Sequence, residues 1–464
     1  MPGLAYTPES VRAMPRFGWR DVVLFVIFFG LLWEVLHLAH GMRAPFAPTA
    51  PMAIDLSPSA LPGYAALSLL RMFLAFGASL LFTFVYGYVA AYNARARRVL
   101  IPLLDILQSV PVLGFLSVTV TGFMALFPGS LMGLECASIF AIFTGQAWNM
   151  TFSFYQSLRT IPQELTEAAT VYRLTGWQRF VKLEAPFSMI GLVWNGMMSF
   201  GGGWFFLAAS EAISVLGHSY KLPGIGSYMA TAVDKGDLRA VLWAIVSMIA
   251  VVVLVDQLFW RPVVAWSQKF KFEQTESGQE PTSPVLDLLR RSALLPWLER
   301  RLLAPMGRAL DALLARSARR GASPRGVSML WRVGRVALGL ALLLLVVYGI
   351  VLAFMEIGRE LSWRETLHVF FLGLLTLLRV AFMVVAATLL WTPIGVRIGF
   401  SPRLARIAQP LVQIGASFPA NLIFPVLVLA FLRLHVDFNW GSILLIALGT
   451  QWYILFNVIA GASG

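Results

Sequence analysis

Charge is what this 464-residue chain has least of. Asp, Glu, Lys and Arg together supply 13% of its residues, about half the share of an ordinary soluble domain. Hydrophobic residues supply 58%, and the mean hydropathy is +0.75. A chain that apolar cannot bury its side chains in water, so a soluble domain is excluded. Cysteine is nearly absent as well. Cys136 stands alone, which rules out an internal disulfide; inside an apolar run it reads as a small buried hydrophobe. Five histidines are scattered without metal-ligand spacing. No Gly-rich phosphate loop ending Gly-Lys-Ser/Thr is present. Nor is there a pair of acids, a His cluster or an activated nucleophile. No catalytic residue, metal or cofactor is therefore expected, and the chain should not hydrolyse ATP alone.

What charge there is lies strongly to one side: the net charge is +13 and the pI about 10.3. The basic residues cluster between apolar runs, where cytoplasmic loops carry them, so the partner they imply is the lipid bilayer and not nucleic acid. The first apolar run starts near Asp21 and passes through Trp33, Glu34 and His37 with no small-residue cleavage site. It reads as a retained anchor.

A membrane span needs about 20 largely apolar residues. Ten stretches qualify: Val22–His40, Ala65–Tyr92, Leu100–Phe127, Leu131–Leu158, Pro186–Ser210, Leu238–Trp260, Val333–Met355, Leu367–Trp391, Ile407–Leu432 and Ser442–Ala460. Arg12, Arg16 and Arg20 place the N-terminus inside. With that start, Arg95, Arg97 and Arg98, the loop 159–186, the linker after Arg261, and Arg397, Arg403 and Arg406 all fall inside too. The linker opens polar and then spaces Leu286, Leu289, Leu294, Leu298 and Leu302 among arginines. Such a basic amphipathic helix either lies on the inner membrane surface or packs on the bundle as a connector.

The chain repeats itself. Ser68-Leu69-Leu70-Arg71 returns 308 residues later as Thr376-Leu377-Leu378-Arg379, and the same offset carries Arg98, Pro102, Ser109 and Pro111 onto Arg406, Pro410, Ser417 and Pro419. An offset of 305 carries Gln146 onto Gln451 and Trp148 onto Tyr453. Both copies keep the same orientation, which makes them parallel repeats side by side about an axis along the membrane normal. The expected fold is all-α: a polytopic membrane bundle of two parallel six-span repeats, the second incomplete. The expected division is a cytoplasmic tail over 1–20, a first transmembrane domain over 21–265, a cytoplasmic linker over 266–328 and a second transmembrane domain over 329–464. Gly464 corresponds to Arg159, so the second copy is expected to be cut short before its own charged loop and last two spans.

That charged loop holds the most informative residues. Pro162 suits the first turn of a helix, and Glu164 and Glu167 complement its N-terminus. Ala168 and Ala169 let another surface approach closely. Gly176 is expected to end this helix, Trp177 to Leu183 to form a second, and Pro186 to mark entry to the next span. Two short helices with an Ala-Ala face make a knob that a cytoplasmic partner can grip.

The segment Glu167-Ala168-Ala169, with Gly176, Trp177-Gln178-Arg179-Phe180 and Pro186, resembles the EAA coupling loop of ATP-binding cassette importer permeases of the nitrate/sulfonate/taurine type. Leu222-Pro223-Gly224-Ile225-Gly226-Ser227-Tyr228 resembles the external Gly-Ile/Leu-Gly segment of that branch. The family usually has Gly where Arg173 stands, a role Gly176 is expected to take over, and Leu-Pro where Ala185-Pro186 stands. The resemblance implies a fused two-bundle permease in the bacterial inner membrane. It also implies a dimeric cytoplasmic ATPase as partner, an external solute-binding protein, and a small anion such as a sulfonate, nitrate or taurine as solute.

Polar residues within spans are functional candidates. Gln108 and Ser109 before Pro111, and Ser417 before Pro419, where a proline can break the helix and free backbone groups toward a cavity, either line a path or serve helix packing. Arg71 and Arg379 either snorkel to an interface or face an anionic solute. Ser199, at the head of Ser199-Phe200-Gly201-Gly202-Gly203-Trp204, is expected at a break in the fifth span, with Asn195 deeper. Glu211, near the outer end, either gates the path or sits at the headgroups. Buried acids look scarce, with Asp105 and Glu135 near span ends. That argues against the rival reading, a secondary transporter or channel with ion-coupling carboxylates and no ATPase.

Overall fold

The structure is a computed structural model that describes residues 18–42, 44–45, 52–215, 218–270, 283–290 and 362–463, with isolated positions between 292 and 358. Most of the expected span Val333–Met355 and most of the basic linker lie outside the described residues.

A helix of Trp19–Gly41 (α1) leads into the first bundle. Leu61–Tyr92 (α2) begins with Pro62 in its first turn, where the missing N–H costs nothing. It ends at Asn93, whose extended backbone frees its side chain to accept from Arg95 N and Ala96 N and so cap Ala94–Ser109 (α3). Val112–Leu126 (α4) follows at 99° to α3. The expected single span Leu100–Phe127 is therefore a broken one. Pro111 has no N–H to give and forces Val110 before it into extended conformation. Met132–Arg159 (α5), Gln163–Val171 (α6), Gly176–Arg179 (α7) and Ala185–Glu211 (α8) complete the central part. A hairpin of Ala212–Val215 (β1) and His218–Lys221 (β2), paired from Ala212↔Lys221 to Val215↔His218, then leads to Ile225–Asp234 (α9). Leu238–Val255 (α10), Arg261–Ser267 (α11) and Pro284–Arg290 (α12) follow.

The second half gives Trp363–Gly399 (α13), Pro402–Ser417 (α14), Phe424–Leu434 (α15) and Phe438–Ser463 (α16). Its architecture repeats that of the first. α14 starts and ends 308 residues after α3, and a 3-10 turn at Ala420–Leu422 plus α15 spans the counterpart of α4. The expected span Ile407–Leu432 is broken at Pro419 just as its counterpart is broken at Pro111.

Ten straight spans are not what the described residues contain. Four helical runs are long and apolar enough to cross a membrane: Pro58–Tyr92, Leu238–Phe270, Trp363–Gly399 and Phe438–Ser463. The bent α3–α4 pair makes a fifth if taken as one span. α5 and α8 have 28 and 27 residues, enough to cross at about 1.5 Å per residue. They are less apolar, because their buried faces carry groups such as Thr144, Gln146, Ser188 and Ser199.

α2, α5 and α8 pack side by side as the core. In lipid such packing depends on small residues and polar pairs more than on apolar burial. Thr83 meets Thr151 at 3.1 Å and Ser138 meets Ser210 at 2.7 Å, both between helices. The glycine run does not break α8, which runs unbroken from Ala185 to Glu211. A Cβ on Gly201 would lie 2.8 Å from Ser417 Oγ, and one on Gly203 would lie 2.6 Å from Gln146 Nε2. These glycines clear space for neighbours on both sides of the helix.

Candidate functional site

Three polar sites lie along the first bundle: the loop between α5 and α8, the contact between the two halves, and a buried ion cluster at the far end of α2.

The loop is an elbow of two short helices. α6 begins after Pro162 and exposes Glu164 and Glu167, while Ala168 is half-buried and Ala169 buried. Val171 and Tyr172 at its end are 78% and 79% exposed. Gly176 does not terminate α6. Leu174 N donates to Ala169 O and Arg173 N to Thr170 O, closing the helix with Arg173 at φ 50. That is the left-handed position where glycine is the usual residue. Gly176 instead opens α7 with free space around it, under a capping box of Thr175 and Gln178. The second short helix does begin there, at Gly176–Arg179, and does not stop at Leu183. A π turn at Phe180–Glu184 joins α7 directly to α8. Pro186, half-buried in the first turn of α8, offers no N–H to the carbonyl four residues back, and the backbone ahead of it widens. The same sequence recurs at Asp256–Trp260, a π turn ahead of Pro262. Trp177 stacks on Phe180 at 5.7 Å, and Arg179 pairs with Glu184 at 2.7 Å.

Between the halves, α14 packs against α8 and α10. Gln413 Nε2 donates to Asp256 Oδ1 at 2.6 Å, and Asn421 Nδ2 donates to Phe205 O at 3.2 Å. Ser417 borders a cavity of about 20 Å³ with Met197, Gly201, Gln413 and Tyr453, room for about one water. A larger cavity of about 470 Å³ opens at the α3–α4 bend, lined by Gln108, Ser109, Pro111, Thr144, Trp148, Asn149, Phe205 and Phe206. Ser199 lies away from both cavity linings, buried, its Oγ without a hydrogen bond. Asn195 turns its amide back to Gly191 O at 2.9 Å.

At the hairpin end, Arg71 is fully buried and snorkels nowhere. It meets Glu135 through Nε and Nη2, and Glu211 through Nη1 at 2.7 Å. Glu211 is thus buried inside the bundle and not at the headgroups. Its Oε1 also accepts from Ser68 Oγ, and its Oε2 accepts from Gly226 N at 2.7 Å. Arg71 Nη1 donates in addition to Pro223 O, and Ile225 N donates to Ser68 Oγ. The Leu222–Tyr228 segment is therefore bound at its glycines. A Cβ on Gly224 would collide with the Glu211 carboxylate, and one on Gly226 with the carbonyl of Ala208. Among the described residues, Arg379, the repeat partner of Arg71, meets an amide and no carboxylate, with Asn439 Oδ1 at 2.5 Å.

Buried acids are thus not scarce. Asp21, Glu135, Glu184, Glu211 and Asp256 are all buried, and each has a hydrogen-bonding or ionic partner. Sequence reasoning missed Glu184 and Asp256, although each adjoins a span and lies within six residues of a proline. Cys136 is half-buried, not buried. Among the described residues no group of three metal-ligating side chains occurs.

Residues 83–259 match the family described as binding-protein-dependent transport system inner membrane component. The chain is 22% identical over 203 residues to the bicarbonate transport system permease protein CmpB of Synechococcus elongatus. That stretch covers 44% of this chain and 66% of the relative, just under two thirds of its length. It is 25% identical over 277 residues to a protein of Bacillus subtilis named as an aliphatic sulfonates transport permease, SsuC, covering 57% of this chain and 94% of that one. To the nitrate import permease protein NrtB of Leptolyngbya laminosa it is 24% identical over 173 residues, covering 37% and 57%.

Proposed function

We propose that this chain forms the translocation path of an ATP-driven importer for a small anion and couples it to a separate cytoplasmic ATPase. The observation that carries this reading is the α6–α7 elbow. It stands between two core helices inside the matched segment, with Glu164, Glu167, Val171 and Tyr172 open to a partner. The names of the relatives speak of bicarbonate, sulfonates and nitrate, which are all small oxyanions. The cavity at the α3–α4 bend fits such a solute. Its lining carries amide, hydroxyl and indole donors and no carboxylate.

In this reading the elbow faces the cytoplasm, as does the N-terminus, and the Gly224–Gly226 segment faces outward in the bacterial inner membrane, toward a solute-binding protein. ATPase closure moves the elbow, the bundle shifts as a body, and the two halves alternate between inward and outward openings. Glu164, Glu167, Ala168, Ala169 and Gly176 form the docking surface. Trp177, Arg179 and Pro186 fix it to the span. Gln108, Ser109 and Ser417 stand nearest the path; Asn195, Ser199 and Glu211 serve the framework.

The test is co-purification with the ATPase, together with nitrate and alkylsulfonate uptake by the complete transporter in proteoliposomes. Glu167→Lys is expected to abolish ATPase binding and uptake together. Uptake that persists with no ATPase present would favour a secondary transporter and overturn the proposal.

A further inference from the structure

The loop and the far end of α2 are joined by more than proximity. Glu184 closes the π turn that follows α7 and is fully buried. Its Oε1 accepts the hydroxyl of Tyr92 at 2.6 Å and lies 2.7 Å from Arg179 Nε. Arg179 in turn sits over the Tyr92 ring, 5.5 Å from its centre. Tyr92 is the last residue of α2 and precedes Asn93, the cap of α3. Below it, Phe180 packs against Phe84 and Tyr88 of α2, both at 5.9 Å. The segment that leaves the elbow is therefore attached to the end of α2 by a carboxylate and a ring cluster.

α2 is one unbroken helix from this knot to the next. Arg71 lies 21 residues before Tyr92, about 32 Å along the axis at 1.5 Å per residue. That is close to the thickness of the hydrocarbon core. At that end Arg71 grips Glu135, Glu211 and the Gly224–Gly226 segment through Pro223. So α2 carries a buried charged knot at each face of the bundle. The second oxygen of Glu184, Oε2, is buried and has no hydrogen-bond partner among the described residues. An unmet carboxylate oxygen is costly in that setting, so the Tyr92 and Arg179 contacts hold a group that has nowhere else to go.

We infer that Glu184 and Tyr92 are the positioning pair that hands movement of the α6–α7 elbow to α2, and through it to the hairpin end of the bundle. The inference rests on the coupling role proposed above. It adds which residues carry the movement onward once the ATPase is docked.

The experiment uses the full chain in lipid nanodiscs with the ATPase that co-purifies with it, in a Cys136→Ser background. Spin labels are placed at positions 163 and 99, both exposed and on opposite sides of the knot, position 163 lying outside the residues assigned to ATPase docking. The distance between them is read without nucleotide and after vanadate trapping. The parent is expected to keep one narrow distance in both states, because α6 and α3 move together. Tyr92→Phe, which removes only a hydroxyl, and Glu184→Gln are expected to match the parent without nucleotide. On trapping they should shift or broaden by on the order of 5 Å, about one helical turn. Three results overturn the inference: a parental distance that itself changes on trapping, variants that stay as narrow as the parent, or variants equally broad in both states, which is mere loosening. A parent that recruits no ATPase, or a Glu167→Lys variant that still does so and transports, defeats the coupling role itself and this inference with it. Normal recruitment with an unaffected Glu184→Gln defeats this inference alone.

Discussion

Arg71 meets Glu135 through two parallel contacts, Nε to Oε2 at 2.5 Å and Nη2 to Oε1 at 2.7 Å, with both side chains closed to solvent. The fork geometry is one that only Arg offers a carboxylate. With Glu211 on the third nitrogen, one cation lies between two anions, and backbone N–H and hydroxyl donors take the remaining oxygens. A buried group of this kind is a weak source of net stability, yet losing the shared cation would leave two acids without their partner. Glu135→Gln leaves Glu211 as the counter-ion of Arg71 and weakens the forked contact, so it is expected to destabilise the bundle by about 1.5–3 kcal/mol, measured by denaturant unfolding in detergent. Arg71→Lys keeps the charge and loses the fork, so it should destabilise as well. An Arg71→Lys protein as stable as the parent would show that charge alone, without the two-pronged geometry, holds α2 to α5.

The turn after α6 offers a change in the opposite direction. Arg173 takes φ 50, a conformation that burdens any residue with a Cβ, and its side chain is exposed. Arg173→Gly should relieve that strain, with a gain of up to about 1 kcal/mol offset in part by the freer unfolded chain. Gly176→Ala, at a position with open space and negative φ, should be close to neutral. Thermal unfolding of the two variants beside the parent checks both. A destabilising Arg173→Gly would mean that the arginine side chain has a role the strain argument omits.

Much of the first bundle could be read from the sequence because lipid imposes a simple rule of length and apolarity. α2, α5, α8 and α10 each lie within a few residues of an expected span. Pro111 and Pro419 were legible as residues that can break a helix, but the apolar run continues through them and hydropathy carries no angle. Gly201 to Gly203 misled in the reverse sense. Three glycines resemble a bend until Ser417 and Gln146 are seen in the space they leave. The elbow was found by its residues, but its turn was misplaced by three positions. Arg173 occupies a conformation that sequence preference assigns to glycine, and Gly176 was the nearest candidate. The ion cluster could not be read at all. Arg71, Glu135 and Glu211 are 64 and 140 residues apart in pairs, and only the packing of three helices brings them together.

Gly224 and Gly226 give a prediction about the hairpin end. A methyl group on Gly226 meets the backbone carbonyl of Ala208, which cannot move without moving α8, whereas one on Gly224 meets the Glu211 carboxylate. Overpacking of this kind costs about 1–3 kcal/mol. Gly226→Ala should be the more damaging of the two, because its obstacle is main chain. Gly224→Ala should act chiefly by dislodging Glu211 from Gly226 N. If so, adding Glu211→Gln to Gly224→Ala should cost less than the two changes summed, as read by unfolding of all four proteins. Strict additivity would mean that the glycine and the carboxylate act independently.

Gln413 and Asp256 join the two halves. Asp256 Oδ1 accepts from Gln413 Nε2 at 2.6 Å, Oδ2 accepts from Gln257 Nε2 at 2.8 Å, and Arg261 stands off at 3.9 Å. The carboxylate therefore has local partners of its own in the first half, while among the described residues Gln413 has no second oxygen acceptor and otherwise meets Met197 Sδ at 3.1 Å. That asymmetry sets the expected result. Gln413→Ala should cost about 1.5–3 kcal/mol, the usual worth of a hydrogen bond to a charged group, and Asp256→Asn somewhat less, since an amide can still accept from Gln413. If the contact holds the halves together, the two changes should be non-additive by at least 0.5 kcal/mol in a double-mutant cycle. The same cycle on Asn421, whose acceptor is the main-chain carbonyl of Phe205, has no side-chain partner to remove and should show no coupling to Asp256. A coupling of equal size at both positions would place the effect in a general loosening between α8 and α14 and not in the Gln413–Asp256 contact.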